Sequence, residues 1–262
     1  MNVILTAVIS VTSMGLICSC ILAVASKLMY VKIDERITQL AGIMPGANCG
    51  ACGYPGCSGY ASALIEENAK TNLCTPGGPS LLAKISEIMG IEAGSIEEKR
   101  AFVSCNCNAQ IKKMEYKGIQ SCEAAKPAYG GQNSCAFGCL GYGDCFTVCP
   151  SDAICMENNL AHIIAEKCTG CGLCVKACPN KLISIQKAGI PVLIACKNIE
   201  KGAVTRKKCS IGCIACTKCV KECPQSAISM ENNLALIDYS KCSGCGKCAE
   251  VCMTKCIVRV GN

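Results

Sequence analysis

The sequence has few of the large side chains from which proteins usually build a core. Its 262 residues include no tryptophan, three phenylalanines and seven tyrosines. Something besides apolar packing must therefore stabilise the chain, and disulfides, zinc and iron–sulfur clusters are three known means. There is a single histidine, His162. One histidine excludes Rieske centres, bis-histidine haem and histidine-rich zinc sites.

The chain also lacks the motifs of common catalytic sites. No G-x-G-x-x-G follows a predicted strand, so we expect no NAD site, and there is no P-loop. No nucleophile and base stand at a spacing that singles them out, and acid–base catalysis has few groups to use. We therefore expect no catalytic residue, and we expect bound cofactors to carry the chemistry.

Cysteine, by contrast, is abundant. The chain has 29 cysteines, about a ninth of its residues and far above ordinary usage. The formal net charge of +7 counts each of them as neutral. A [4Fe–4S] cluster on four thiolates carries roughly −2 when oxidised, so five clusters would add about −10. The net charge therefore gives no support to a nucleic-acid partner.

The first segment of the chain predicts a membrane anchor. Residues 3–26 carry no charge and are mostly apolar, which is long enough to span a bilayer. Lys27, Lys32 and Arg36 follow, so the positive-inside rule places the remainder of the chain in the cytoplasm. A cleaved signal peptide ending near residues 23–25 is the alternative, but no Lys or Arg precedes the apolar run. We expect a single-pass protein of the inner (cytoplasmic) membrane with its cluster domains on the cytoplasmic side.

A first cysteine module follows the anchor. Its spacing is C-x2-C-x4-C-x16-C, and the residues are Cys49, Cys52, Cys57 and Cys74. Glycines around the first three allow sharp turns and close approach of backbone N–H groups to sulfur. Residues 59–70 predict a short helix that returns the chain to Cys74. A [4Fe–4S] cluster is the favoured interpretation, and zinc on four cysteines is the alternative.

The next segment is poorer in cysteine. Residues 81–121 predict a tether, with helical spacing over residues 81–89. Cys105 and Cys107 form a C-x-C pair. Its members are either outside any cluster or supply an additional ligand.

The C-terminal half is an internal repeat with a period of 74 residues. Met156–Ala161 recurs as Met230–Ala235. The cysteines of the first copy are Cys122, Cys135, Cys139, Cys145, Cys149, Cys168, Cys171, Cys174 and Cys178. Those of the second copy are Cys196, Cys209, Cys213, Cys219, Cys223, Cys242, Cys245, Cys248 and Cys252.

The second copy contains the run of a two-cluster ferredoxin. In C-x2-C-x2-C-x3-C-P, three close cysteines bind one cluster and the fourth reaches the other. One predicted set is Cys213, Cys216, Cys219 and Cys252; the other is Cys223, Cys242, Cys245 and Cys248. Residues 227–230 and 235–238 predict two strands around a turn.

The first copy departs from this run, because Tyr142 occupies the position of Cys216. Phenolate is a poor substitute for thiolate. We therefore assign one cluster to Cys135, Cys139, Cys145 and Cys178, and its neighbour to Cys149, Cys168, Cys171 and Cys174. By the same logic either Cys209 or Cys216 is the ligand in the second copy. Five clusters are expected and a sixth is possible on leftover cysteines; the additional or alternative ligands are Cys209, Cys105, Cys122 and Cys196.

These features predict an α+β protein in five parts. The expected parts are an anchor (1–27), a membrane-proximal [4Fe–4S] domain (28–80), a tether (81–121) and two tandem two-cluster ferredoxin-like repeats (122–190 and 191–262).

The whole chain resembles the B subunit of the Rnf complexes, the ion-translocating ferredoxin:NAD oxidoreductases. The resemblance lies in the anchor, the Pro45–Cys57 run with Cys74-Thr-Pro-Gly-Gly, the Gly138–Cys145 run and the ferredoxin motifs. A second ferredoxin unit makes it similar to the long form of clostridia and acetogens. The resemblance implies an electron relay from soluble ferredoxin to membrane and flavin-carrying subunits, which drive Na⁺ or H⁺ translocation. A membrane-tethered polyferredoxin that serves a different reductase or hydrogenase is the alternative function.

An acidic ferredoxin would need a basic surface on this chain. The best basic run in the sequence is Arg206-Lys207-Lys208, just before Cys209. An ordinary solvated helix face is the alternative interpretation of this run.

Overall fold

The architecture is taken from a computed structural model of the chain. It describes residues 2–28, 34–92, 94–95, 97–107 and 110–260. Lys32, one of the charges used above to orient the chain, lies outside the described residues.

The N-terminal segment is one long helix, α1 (Asn2–Leu28). Its apolar part, Leu5–Leu28, has 24 residues and a mean hydropathy of 2.3, and none of it is buried against the chain. At 1.5 Å per residue it is about 36 Å long, which is enough to span a bilayer core of about 30 Å. The helix is therefore long and apolar enough to cross a membrane.

Three helices form the membrane-proximal module. They are α2 (Glu35–Ile43), α3 (Gly56–Glu66) and α4 (Gly78–Met89), with a 3₁₀ turn at Thr75–Gly77 before α4. Helix α3 covers most of the helix expected over residues 59–70. Helix α4 extends into the segment expected to be a tether, yet Leu81 and Ile85 of this helix are buried in the core of the module.

The first repeat contains two small antiparallel sheets. One pairs β1 (Lys99–Val103) with β4 (Ile183–Lys187), and the other pairs β2 (Ile154–Glu157) with β3 (Leu160–Ile163). Its short helices are α5 (Cys122–Ala125), α6 (Asp144–Thr147) and α7 (Leu173–Ala177). Strand β1 lies inside the expected tether, but it completes the sheet of this repeat. The part of that segment around β1 is therefore packed against the ferredoxin-like unit.

The second repeat has the same plan. Strand β5 (Val192–Ile194) pairs with β8 (Ile257–Arg259), and β6 (Ile228–Glu231) pairs with β7 (Leu234–Ile237). Its short helices are α8 (Gly202–Lys208), α9 (Lys218–Lys221) and α10 (Lys247–Glu250). The β2–β3 and β6–β7 hairpins each turn on two asparagines with positive φ, a conformation that Asn tolerates better than most residues.

The period of 74 does not extend to the first strand of each repeat. Strand β1 ends at Val103 and β5 ends at Ile194, and each is followed two residues later by a cysteine, Cys105 or Cys196. These pairs are 91 positions apart. The structural counterpart of Cys196 is therefore Cys105, while Cys122 lies on α5 in an insertion of the first repeat. Cys122 and Cys196 are therefore 74 positions apart in the sequence but are not structurally equivalent.

Candidate iron–sulfur sites

The first candidate site, the module group, lies between α2, α3 and α4. Its members are Cys49, Cys52, Cys57 and Cys74. The Asn48 carboxamide oxygen accepts the Cys57 backbone N–H at 2.8 Å. Gly56 has a φ of +88°, and a Cβ on it would lie 2.8 Å from that oxygen. The loop therefore needs glycine there. Burial, and then the other thiols of the group, raise the pKa of Cys74.

Tyr60 fixes the return of the chain to Cys74. Its hydroxyl donates to the Lys70 carbonyl at 2.6 Å and accepts the Leu73 backbone N–H at 3.4 Å. The side chain is 1% exposed, and burial raises its pKa to about 12. The neutral hydroxyl therefore holds the backbone that places the fourth cysteine of the module group.

The first outer group lies in the first repeat. Its members are Cys149, Cys168, Cys171 and Cys174, which line one cavity. Burial, and then the three other thiols, raise the pKa of Cys174 to about 12. Backbone N–H groups of Ala101 and Ala153 donate to Cys168 and Cys149, each at 3.3 Å. The structure thus brings together the four cysteines that spacing assigned to one cluster.

This group adjoins the module group. Lys176 on α7, two residues after Cys174, donates from Nζ to the Cys49 carbonyl at 3.0 Å. The contact joins positions 127 residues apart. It places the membrane-proximal module beside the outer end of the first repeat.

The first inner group differs from the sequence assignment. The cysteines that line its cavity are Cys122, Cys139, Cys145 and Cys178. Burial, and then Cys139, Cys122 and Cys178, raise the pKa of Cys145 to about 12. Cys135, which spacing put here, instead lines a different cavity. The thiol that occupies the place left by Tyr142 thus comes from α5, outside the repeated motif.

A carboxylate holds α5 against the ligand loop. Asp144 accepts the backbone N–H groups of Cys122 at 2.7 Å and Glu123 at 3.0 Å. Acceptors at a helix start satisfy N–H groups that have no partner inside the helix. The matching position in the second repeat is Lys218. The acidic residue at position 144 is the one sequence signal that could have pointed to α5. It could not be interpreted from spacing alone, because spacing does not show the contact between Asp144 and α5.

Tyr142 lies beside this group without entering it. Its ring meets that of Tyr116 edge to face, with centroids 5.9 Å apart. Its hydroxyl is buried and has no hydrogen-bond partner among the described residues. The ring stands at the sequence position of Cys216 and supplies no thiolate in this copy.

The second inner group includes Cys216 and excludes Cys209. Its members are Cys213, Cys216, Cys219 and Cys252. Burial, and then the other three thiols, raise the pKa of Cys219 to about 11. The Cys256 thiol lies 3.7 Å from that of Cys252 and also hydrogen-bonds Cys213. As cluster thiolates Cys252 and Cys213 could only accept, so Cys256 would be the donor.

The second outer group repeats the geometry of the first. Its members are Cys223, Cys242, Cys245 and Cys248, which line one cavity. Burial, and then the neighbouring thiols, raise the pKa of Cys248. The Ala227 backbone N–H donates to Cys223 at 3.3 Å, as Ala153 does to Cys149.

The chemistry of these five groups fits [4Fe–4S] clusters. All the cysteines lie within the described residues, and none of them is in a disulfide. Within the described residues, no three His, Cys, Asp or Glu side chains converge on a point that could hold a single metal ion. In three of the groups the four cysteines line one cavity, and a [4Fe–4S] cluster takes one thiolate on each of four irons. Buried neighbouring thiols resist ionisation, so bound cations must accompany the thiolate form.

Family comparisons agree with this donor set. A family described as "Putative Fe-S cluster" matches residues 44–76. A 4Fe-4S binding domain matches residues 161–184, and a 4Fe-4S dicluster domain matches residues 205–253. The predicted α+β fold with ferredoxin-like domains and [4Fe–4S] cofactors is confirmed.

Curated relatives match almost the whole chain. The B subunit of the Na⁺-translocating ferredoxin:NAD⁺ oxidoreductase complex of Acetobacterium woodii is 43% identical over 98% of this chain and 78% of its own length. The B subunit of the proton-translocating complex of Clostridium ljungdahlii is 38% identical over 98% and 91%. The B subunit of an ion-translocating oxidoreductase complex of Methanosarcina acetivorans is 34% identical over 98% of each chain.

Proposed function

Because the chain belongs to the B-subunit family of the ion-translocating Rnf oxidoreductase complexes, we propose that it takes electrons from reduced soluble ferredoxin and passes them to membrane and flavin-carrying subunits. The observation that carries the proposal is the series of five four-cysteine groups, the first of which follows α1 in the chain. [4Fe–4S] clusters on these groups would supply one-electron chemistry. The subunits that receive the electrons would drive Na⁺ or H⁺ translocation.

We propose five clusters on the groups described above. The ligands are Cys49, Cys52, Cys57 and Cys74; Cys149, Cys168, Cys171 and Cys174; Cys122, Cys139, Cys145 and Cys178; Cys213, Cys216, Cys219 and Cys252; and Cys223, Cys242, Cys245 and Cys248. In this set Cys122 replaces Cys135, and Cys216 is preferred to Cys209.

Contacts along the chain give the groups an order. Lys176 joins the module group to the first outer group. Cys145 of the first inner group interacts with Cys174 of the first outer group. The second repeat follows in the chain and does not contain the link to the module. The end that meets the membrane subunits is therefore the module, and the end that meets ferredoxin is the second repeat.

The surface of the second repeat supports this assignment. Cys216 and Cys245 are exposed, whereas most other ligand cysteines are buried or half-buried. Each is followed two residues later by an exposed lysine, Lys218 on α9 and Lys247 on α10, and these two helices pack together. A basic surface around exposed ligands suits an acidic electron donor.

The basic run named in the sequence contributes less than its three charges suggest. Arg206 and Lys207 on α8 are exposed. Lys208 is half-buried and pairs with Glu200 at 2.5 Å. We therefore expect Lys218 and Lys247 to contribute more to ferredoxin docking than Lys208 does.

The chain associates with the membrane through α1, and we propose that its cluster domains face the cytoplasm. Lys27 lies at the C-terminal end of the apolar segment and Arg36 lies beyond it, and this is the side that stays inside. Cysteines outside disulfides at this density also suit a reducing compartment.

The function is tested on the full chain, purified in detergent without oxygen. Reduced ferredoxin is mixed with the oxidised protein, and bleaching of the absorbance near 400 nm is followed. We expect rapid reduction that slows as salt is added, and no reduction by NADH alone because the chain has no NAD motif. Equal reduction by NADH, or none by ferredoxin, would overturn the assignment.

A further inference from the structure

One cysteine-lined cavity is used by none of the five groups. It lies where the two repeats meet, and its walls come from both of them. The cysteines in these walls are Cys105, Cys107, Cys135, Cys196 and Cys209. We refer to it as the interface cavity.

Two of these cysteines stand at matching positions after the first strand of each repeat. Cys105 accepts the backbone N–H of the residue two positions further on and that of Cys139. Cys196 likewise accepts the N–H two positions further on at 3.5 Å and that of Cys213 at 3.3 Å. N–H groups donate to cysteines of the five groups at similar distances, 3.3 Å for Cys149 and 3.4 Å for Cys178. Cys105 and Cys196 therefore accept backbone N–H groups in the same way as the cysteines of the five groups do.

Two others match at the 74-residue period. Cys135 and Cys209 each accept the backbone N–H groups of the residues two and three positions further along. They interact with each other across the cavity, and Cys135 also interacts with Cys105 and Cys196. The two repeats thus contribute two equivalent thiols each to one space.

Cys107 has a different role in this cavity. Its thiol forms a hydrogen bond with Cys209, much as Cys256 does with Cys213 and Cys252 of the second inner group. A cluster separates its ligands by placing each on its own iron. Thiols in direct hydrogen-bond contact are therefore better explained as a ligand and a donor to that ligand.

Two side-chain amides of the cavity wall present N–H donors. Asn198 is 1% exposed, and its Nδ2 donates to Cys135 Sγ at 3.7 Å. Gln110 lines the cavity, and its Nε2 is buried with no partner among the described residues. Lys208, whose ammonium pairs with Glu200, also lines the wall. Such donors suit an anionic occupant whose sulfurs accept hydrogen bonds.

We propose that the interface cavity holds a sixth [4Fe–4S] cluster, with Cys105, Cys135, Cys196 and Cys209 as ligands and Cys107 as a hydrogen-bond donor to Cys209. Each repeat supplies one ligand from the end of its first strand and one from its ligand loop. The site exists only because the two repeats are packed together.

The position of the site explains its value to a relay. Cys105 touches the backbone of Cys139 in the first inner group, and Cys196 touches that of Cys213 in the second inner group. The cavity therefore lies between the two inner groups. A cofactor there would connect the two repeats, which otherwise hold their clusters separately.

The test counts iron and acid-labile sulfide in the full chain, purified anaerobically, and in the double variant Cys135→Ser/Cys209→Ser. We expect about 24 irons per chain in the wild type and about 20 in the double variant. The electron paramagnetic resonance spectrum of the reduced variant should lose one component. Cys155→Ser, at a cysteine outside all the groups, is the matched control and should keep all the iron.

A wild-type value near 20 irons that the double variant does not lower would overturn the proposal. So would zinc that disappears with the double variant, or a loss of four irons in Cys107→Ser. If the double variant loses more than one cluster, the single variants Cys105→Ser and Cys196→Ser test the proposal instead. Unchanged iron in both of them would overturn it. The count does not depend on which protein reduces the chain, so the ferredoxin role stands or fails separately.

Discussion

The two repeats have the same sheets and the same outer groups, but they complete their inner groups differently. The second repeat takes all three close ligands from its own run, with Cys216 in the middle. The first repeat has Tyr142 there and uses Cys122 from α5, which Asp144 holds in place. In a ferredoxin-like unit the position of each thiolate is therefore strictly constrained, but the segment of chain that supplies the thiolate can vary.

The repeats also differ at their surfaces. Where the second repeat has exposed Lys218 and Lys247, the first has Asp144 and Leu173. In the first repeat, Phe146 is 50% exposed; its counterpart in the second, Val220, packs against the core of that repeat. One repeat thus presents charge beside exposed ligands, and the other presents an apolar side chain. The difference suits a transient soluble partner on the second repeat.

The largest effect is expected from moving one ligand of the first inner group from Cys122 on α5 to position 142 in the cysteine run of the first repeat. Cys122→Ser should remove the first inner cluster and lower iron by about 4 per chain. Adding Tyr142→Cys to this variant should restore that iron, because it recreates the ligand spacing of the second repeat. Iron and sulfide analysis with electron paramagnetic resonance of the reduced protein measures both.

Tyr142→Cys alone is the control, and we expect it to leave the iron content unchanged. If Cys122→Ser keeps its iron while Cys135→Ser loses the inner cluster, the assignment from spacing is right and the placement of α5 is not the functional one.

An intermediate effect is expected from giving the second repeat the surface of the first. The double variant Lys218→Asp/Lys247→Leu should lower the rate constant for reduction by ferredoxin roughly three- to tenfold at low salt. The difference should shrink as salt screens exposed charges. Stopped-flow absorbance measures it. Lys167→Asp in the first repeat is the matched control, and an equal loss there would remove the distinction between the two surfaces.

Much of the architecture could be predicted from the sequence, because clusters impose strict local spacing. The module group, both outer groups and the second inner group each consist of cysteines that one motif predicts. The β6–β7 hairpin could be predicted within one residue, since alternating apolar residues flank an Asn-Asn turn. The family resemblance is confirmed by relatives that cover almost the whole chain.

The remaining features depend on contacts that spacing cannot show. Cys122 joins its group through Asp144, 22 residues away. Strand β1 pairs with β4 across 80 to 88 residues, so a segment expected to be a tether is partly sheet. The 74-residue match of Cys122 with Cys196 is misleading. Cys122 belongs to the insertion of the first repeat, and it only happens to lie 74 positions before Cys196.

The smallest effect is expected from a single sulfur near the second inner group. Cys256 is in hydrogen-bond contact with Cys252 and Cys213 and carries the S–H available to these two ligands once they are thiolates. The matching residue in the first repeat is buried Leu182. Donors to ligand sulfur stabilise the more negative, reduced cluster. Removing one in Cys256→Leu should lower the potential of one cluster by about 20–40 mV, since a hydrogen bond contributes roughly 0.5–1 kcal/mol and 59 mV is about tenfold for one electron. A redox titration followed by electron paramagnetic resonance measures the shift. Cys256→Ser keeps a donor and should retain most of the wild-type potential, so equal shifts in both variants would assign the effect to packing and not to the hydrogen bond.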